Sequence, residues 1–217
     1  MTNDFRLFTS IRVEDGRCAL LPIHLNHMAA SAAVLGFYID RAALETAITD
    51  AAAQAGPVAV AKLRVTLANN GTWTLRGPEP LFADATNLQA LLWPEPTDSH
   101  DSFYQHKTTH RPVYDRVVRE VHGCGFVDAI FHNERGQVTE GAVHSIFARW
   151  GDAWKAPTLD AGVLPGVYRE HLLTTMPAIR EENFTVDDLL RADEVWLTNA
   201  LRGIRKVTVV KQQRGTP

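Results

Sequence analysis

"SFYQHKTTHRPVYD", residues 102–115, places His106, Lys107, Thr108, Thr109, His110 and Arg111 in one run bounded by Tyr104 and Tyr114. A solvated charge run needs only some mixture of charged side chains. A single lysine among threonines, histidines and an arginine is different, because such neighbours can set the charge of its amine. The stretch also lies at the middle of the chain. Its reading decides whether the flanking halves are two modules joined here or one continuous unit.

Upstream, "LFTSIRVEDGRCALLP" predicts two short strands turned at Glu14-Asp15-Gly16, where Asp-Gly suits a hairpin. Leu25, Met28, Ala29, Ala32 and Leu35 form one apolar stripe of a helix from about His24, with Gly36 placed to stop it. A second helix is expected from about Asp40 to Gln54, ending at Gly56-Pro57, and then a hairpin, "VAVAKLRVTLANNGTWTLRG", turning at Asn70-Gly71. Pro78, Pro80, Pro94 and Pro96 flank one strand, "LQALLW". The expected division is a smaller N-terminal domain over 1–100, a linker over 101–106, and a larger C-terminal domain over 107–217 carrying Lys107.

Downstream, a helix is expected over about Pro112 to His122. Strands follow, turned at Arg135-Gly136 and Gly151-Asp152, and "GVLPG" opens into the helix "VYREHLL". Thr185 and Asp188 read as a capping box, and "EVWLTNA" as a buried strand. Strands and helices mix in both halves, so the fold class is α+β (α/β mixed) with two modules.

Composition narrows the function classes. The 217 residues carry a net charge of −3, which argues against a nucleic-acid binder working through backbone electrostatics. No apolar run approaches the roughly 20 residues that span a bilayer. The N-terminus lacks the pattern of a signal peptide. Only Cys18 and Cys124 are present, without metal-type spacing, and no histidine pair is set for a metal, so a cytoplasmic enzyme or small-ligand binder without a metal is expected.

Four stretches in order, "HKTTHRPVYD", "VTEGAVHSIF", "GVLPGVYREHLL" and "ADEVWLTNALRGI", together with the opening "LFTSIRVEDGRCALLPIHLNHMAASAAVLGF", resemble the class IV aminotransferase family, the fold type IV pyridoxal-phosphate (PLP) enzymes. Their spacing is most similar to its aminodeoxychorismate lyase branch, and the resemblance spans roughly residues 6 to 207. It implies a two-domain architecture with PLP between the domains, a homodimer, a small-molecule substrate, and neither nucleic acid nor membrane as partner. Lys107 would form the Schiff base with the cofactor and move protons once substrate displaces it. Glu140, 33 residues on, would face the pyridine nitrogen and keep the ring an electron sink. The amides of Val167 and Tyr168, after Gly166, would face the phosphate with Asn199 and Ala200.

The chain departs from the family at His27. The usual "H-L-x-R-L" has an arginine there that contacts the phosphate, whereas this chain reads "HLNHM". A histidine is shorter and only partly charged at pH 7. His24, His27 and Ser31 are expected on a face turned away from the apolar stripe. Arg12 and Ser10, on one strand face with Thr9 beside them, and Arg202 are candidates for substrate carboxylates. Each motif alone also has a plainer reading: a solvated lysine, a strand-end glutamate, a helix-entry loop, surface arginines. The activity implied is elimination from 4-amino-4-deoxychorismate to 4-aminobenzoate and pyruvate for folate synthesis. The alternatives are a transaminase for branched-chain or D-amino acids, and a non-catalytic homologue with a weakened phosphate site.

Overall fold

The computed structural model describes residues 5–54, 56, 60–81 and 87–211. The helix stop at Pro57 and the start of the hairpin at Val58 lie outside the described residues. The chain has a mixed helix-and-sheet fold that divides into two compact units, one of Met1–Asp84 with His106–His110, the other of Ala85–Gln105 with Arg111–Pro217.

The first unit is a four-stranded antiparallel sheet, β1 (Leu7–Glu14), β2 (Arg17–Cys18), β3 (Ala61–Leu67) and β4 (Trp73–Pro80), in the order β2-β1-β3-β4. Asp15 and Gly16 both take positive φ in the first hairpin, as a tight primed turn requires. Strand alternation is strict in β3, where Ala61, Leu63, Val65 and Leu67 are buried and the residues between are not. Leu7, Ile11 and Val13 extend that apolar face on β1. Two helices cover it, α1 (Leu21–Leu35) through Leu25, Met28 and Ala32, and α2 (Arg41–Ala53) through Leu44, Ile48 and Ala52. Gly36, at φ 74°, ends α1, and the Asp40 carboxylate caps α2 by accepting from the Ala43 amide at 3.0 Å.

The second unit holds an eight-stranded sheet built from β5 (Gln89–Leu92), β6 (Asp128–His132), β7 (Val138–Gly141), β8 (Ser145–Trp150), β9 (Ala153–Ala156), β10 (Ile179–Glu181), β11 (Glu194–Asn199) and β12 (Gly203–Lys211). Their order is β10-β9-β8-β11-β12-β5-β6-β7. Three helices accompany it: α3 (Pro112–Gly123), α4 (Val167–Thr175) and the single-turn α5 (Val186–Leu189). Tyr114, Val117 and Val121, at i, i+3 and i+7, are the buried stripe of α3, packed with Ala129 and Phe131 of β6. Leu172 of α4 packs with Phe147 of β8.

The division differs from the expected one on both sides of the linker. Residues 85–105 belong to the second unit, because β5 lies inside its sheet, parallel to both β12 and β6. Lys107, expected in the larger C-terminal domain, belongs to the first. Its carbonyl accepts from the Phe8 amide at 2.9 Å, the Thr109 amide donates to the Arg6 carbonyl at 2.8 Å, and Leu7 bridges Thr108 antiparallel. The proline-rich composition near 94–96 resembles a linker, but these backbone bonds decide the membership. Among the described residues, no helix is long and apolar enough to cross a membrane.

Candidate active site

On the first unit, the strand-like segment around Lys107 runs along the start of β1 and fixes the backbone from which the amine projects. Lys107 Nζ lies 4.8 Å from the centroid of the Phe8 ring, and the Arg64 guanidinium carbon lies 4.0 Å from the same ring. Both cations therefore approach the same aromatic ring. His106 Nδ1 and Ser31 Oγ are 3.0 Å apart, which ties the residue before Lys107 to α1. Burial lowers the His106 pKa.

The helix face expected to turn away from the core is only partly exposed. His24 is 2% exposed, in contact with β1, and its Nδ1 is 2.6 Å from Thr9 Oγ1. His27, one turn later, is half-buried. Thr9 is therefore no carboxylate receptor, because it lies on the buried face of β1. Ser10 and Arg12 share the opposite, half-buried face, as alternation requires, and the Arg12 guanidinium pairs with Glu14 at 3.2 Å.

On the second unit, Glu140 is the last residue but one of β7, with its side chain buried (4% exposed). The Tyr114 hydroxyl donates to its Oε1 at 3.0 Å, and the Leu164 amide donates to Oε2 at 3.2 Å. Burial first, then the charge of Glu140, raises the pKa of Tyr114 well above its ordinary value, so the phenol remains a donor. The carboxylate thus has one direct bond from α3 and one from the loop before α4, and it borders a recess that Thr139, Ser145, Val163 and Arg169 also line.

The turn after Glu140 is held from beneath. Asp128, fully buried, accepts from the amides of Ala129, Ala142 and Val143 and lies 2.7 Å from His144 Nδ1. His144 Nε2 is 3.1 Å from a guanidinium nitrogen of Arg205. A Cβ at Gly141 would stand 2.4 Å from Asp128 Oδ2, so only glycine fits there. Arg111, which could bear on the Lys107 charge only if the segment from Lys107 were helical, donates to Asp115 at 2.8 Å and to the Ala142 carbonyl at 2.5 Å. Pro112 starts α3 directly after it, and this directs its side chain along the helix and onto the turn.

Gly166 precedes α4 as its N-cap and offers no side chain to the first amides, those of Val167 and Tyr168. A Cβ on Gly166 would approach Ser145 Oγ to 2.6 Å, so β8 and the helix start are in close contact. The buried hydroxyls of Thr139 and Thr198 have no hydrogen-bond partner among the described residues. Asn199 caps the next turn: its Oδ1 accepts from the amides of Leu201 and Arg202 at 3.0 and 2.9 Å. The Asn199 side chain is thus occupied in shaping the turn that contains Ala200, and Arg202, half-buried, follows it. A helix start with uncapped amides, unpaired hydroxyls and a fixed carboxylate can receive an anion at one end and a ring N–H at the other.

Sequence reasoning missed Tyr114, Asp128, His144, Ser145 and Thr198. Tyr114 stands inside the opening stretch, and its place in the Tyr114/Val117/Val121 stripe marks it as buried. Asp128 and His144 act through partners distant in the chain, such as the Ala142 amide on Asp128 Oδ1, and Ser145 and Thr198 are brought side by side only by the pairing of β8 with β11.

The amino-transferase class IV family model matches residues 6–210. An aminodeoxychorismate lyase of Bacillus subtilis (strain 168) is 34% identical over 98 residues, which are 43% of this chain and 33% of that protein, so the match spans about a third of that relative's length. The solved structure of a provisionally named amino-acid aminotransferase from Mesorhizobium loti is 32% identical, with a TM-score of 0.84, and the match covers 95% of this chain and all of that one (100%). A hypothetical aminotransferase from Mycobacterium tuberculosis, solved in a PLP-bound form, has the same fold at TM-score 0.82 and 21% identity, covering 94% of this chain and 81% of that one. With nearly the whole chain matched, from β1 to β12, this protein belongs to the amino-transferase class IV family.

Proposed function

We propose that the chain is a PLP-dependent lyase that converts 4-amino-4-deoxychorismate to 4-aminobenzoate and pyruvate. The observation that carries the cofactor assignment is the buried Glu140 carboxylate, held by Tyr114 and the Leu164 amide close to a helix start whose amides lack a side-chain cap. In this reading the donors of the second unit suit PLP, Glu140 for the ring nitrogen and the amides of Val167 and Tyr168 with the Thr198 hydroxyl for the phosphate, and Lys107 of the first unit is the proposed point of covalent attachment. When bound, PLP supplies the electron sink for a bond broken next to the substrate amine.

The chain's own residues then divide the work. Glu140 holds a proton on the ring nitrogen, with Tyr114 fixing its orientation. Lys107, as a free amine, takes the proton from the amine-bearing ring carbon of the substrate. It returns a proton to the enolpyruvate that leaves as the carbon–oxygen bond breaks. Arg12 and Ser10 on β1, and Arg202 after β11, are proposed to receive the two substrate carboxylates. His27 is proposed as a weaker phosphate contact than the family's arginine. The same reading proposes a homodimer in the cytoplasm.

The lyase assignment follows the name of the Bacillus relative. The whole-length match to the Mesorhizobium structure favours a second reading, amino-acid transamination. One experiment separates them. In the presence of PLP, the lyase releases one pyruvate per aminodeoxychorismate consumed, and its visible spectrum stays unchanged with amino acids. A transaminase loses its visible band on mixing with an amino acid and yields the matching keto acid. Absence of pyruvate release, with bleaching by an amino acid, would replace the first reading with the second.

A further inference from the structure

The turn that follows Glu140 and the turn between β11 and β12 stand side by side in the second unit. β8 begins at Ser145, opposite Thr198, so residues 141–144 run on beside the residues after Thr198. Each strand of the β11–β12 hairpin sends one side chain across. Asn199, which ends β11, donates from Nδ2 to the Val143 carbonyl at 3.3 Å. Arg205 on β12 pairs with Leu197, so alternation puts it on the sheet face of Asn199. One of its guanidinium nitrogens lies 3.1 Å from His144 Nε2. The two arms thus hold consecutive residues, Val143 and His144.

The roles at His144 follow from its partners. A guanidinium can only donate, so Nε2 is the lone pair of a neutral ring and Nδ1 carries the hydrogen. That N–H meets the Asp128 Oδ2 at 2.7 Å, on a fully buried carboxylate that also accepts from the amides of Ala129, Ala142 and Val143. With the ring 4% exposed, solvent cannot substitute for either bond. A ring that only packed above Asp128 would need Nδ1 alone. Here both nitrogens are used, and the second one reaches β12.

We infer that His144 is a positioning residue that couples, through Arg205, the turn following Glu140 to the turn at residues 200–202. For its bearing on the reaction, the inference rests on the reading of Glu140 as the partner of the ring nitrogen and of Asn199 and Ala200 as neighbours of the phosphate. On that reading the two turns hold two ends of one rigid molecule, so a change in their separation weakens its binding. His144 and Arg205 then set affinity by fixing the groups that make contact.

The test uses full-length variants that remove one end of the bridge at a time. His144→Asn keeps a donor for Asp128 and removes the acceptor for Arg205. His144→Gln returns an amide oxygen near the place of Nε2. Arg205→Met leaves His144 and Asp128 in place. In chains without cofactor, amide hydrogen exchange is read at Leu201 and Arg202, which donate to Asn199 Oδ1, and at Ala142 and Val143, which donate to Asp128. PLP is then titrated into each chain and its Kd read.

His144→Asn and Arg205→Met are each expected to speed exchange at Leu201 and Arg202 about tenfold and to weaken PLP binding about tenfold, with Ala142 and Val143 still protected. The double variant does no worse than either single one, because both remove the same bond. His144→Gln recovers most of the parent values. If His144 serves Asp128 alone, Arg205→Met keeps the parent's exchange and affinity, and that result overturns the inference. Additive losses in the double variant overturn it as well. Should His144→Asn not fold, Arg205→Met decides by itself. A parent that takes up no PLP would sink the reading of Glu140, and the exchange pattern would still decide whether the two turns are coupled.

Discussion

Two buried side chains set the pH and stability behaviour at the scale of single residues. His24 keeps a folded-state pKa of about 3, against about 6.5 in an unfolded chain. As pH falls below 6.5 the unfolded chain takes up a proton that the folded chain refuses, so stability present above that pH is lost progressively toward pH 3. By pH 5 the loss is about 2 kcal/mol. Urea unfolding at pH 7.5 and pH 5 checks this, and His24→Leu removes that part of the difference. Tyr114→Phe deletes the hydroxyl bonded to Glu140 and leaves a buried carboxylate short of a donor. The expected cost is about 1–3 kcal/mol in chemical denaturation, with weaker PLP binding in a titration. Lys107 and Glu140 are proposed from local motifs, and the buried setting of Glu140 was not readable from its motif. Nor were the partners of Glu140, because Tyr114 and Leu164 come to it from positions 26 and 24 residues away.

Elements with a local signature formed where the sequence placed them. The capping box of Thr185 and Asp188 is present on both sides, Gly36 ends α1, and the Asp15-Gly16 turn joins β1 to β2. β12 was not anticipated. "GIRKVTVVK" alternates, but half its residues are charged or exposed, and it becomes a strand by pairing with β11 on one side and β5 on the other. The turn between β7 and β8 also depends on distant residues. Asp128 on β6 supplies the acceptors for the Ala142 and Val143 amides and for His144. Asp128→Ala strands all of these groups and is expected to cost about 3–5 kcal/mol in urea unfolding. Gly141→Ala drives a methyl group onto the Asp128 carboxylate. Its expected effect is a lower melting temperature, together with reduced PLP affinity, because the same turn carries Glu140. Retention of both properties would show that the turn does not position the carboxylate.

For the whole molecule, the boundary between units shows what composition cannot reveal. A proline-rich segment looks like a linker, yet β5 within it is an interior strand of the eight-stranded sheet, and the lysine segment returns to the first unit through backbone bonds to β1. Lys107 thus belongs to one unit and Glu140 to the other. A ligand that binds only the folded chain stabilises it by mass action, by about 2.7 kcal/mol at a hundredfold excess over Kd. PLP is therefore expected to raise the melting temperature of the parent, and to raise that of Lys107→Ala by less. The most direct measurement is the visible absorption spectrum after PLP addition and desalting, for the parent beside Lys107→Ala. The account predicts a visible band that survives desalting in the parent and is absent from the variant. A parent that retains no band, or a variant that retains the same one, would contradict the assignment of Lys107 as the cofactor's lysine.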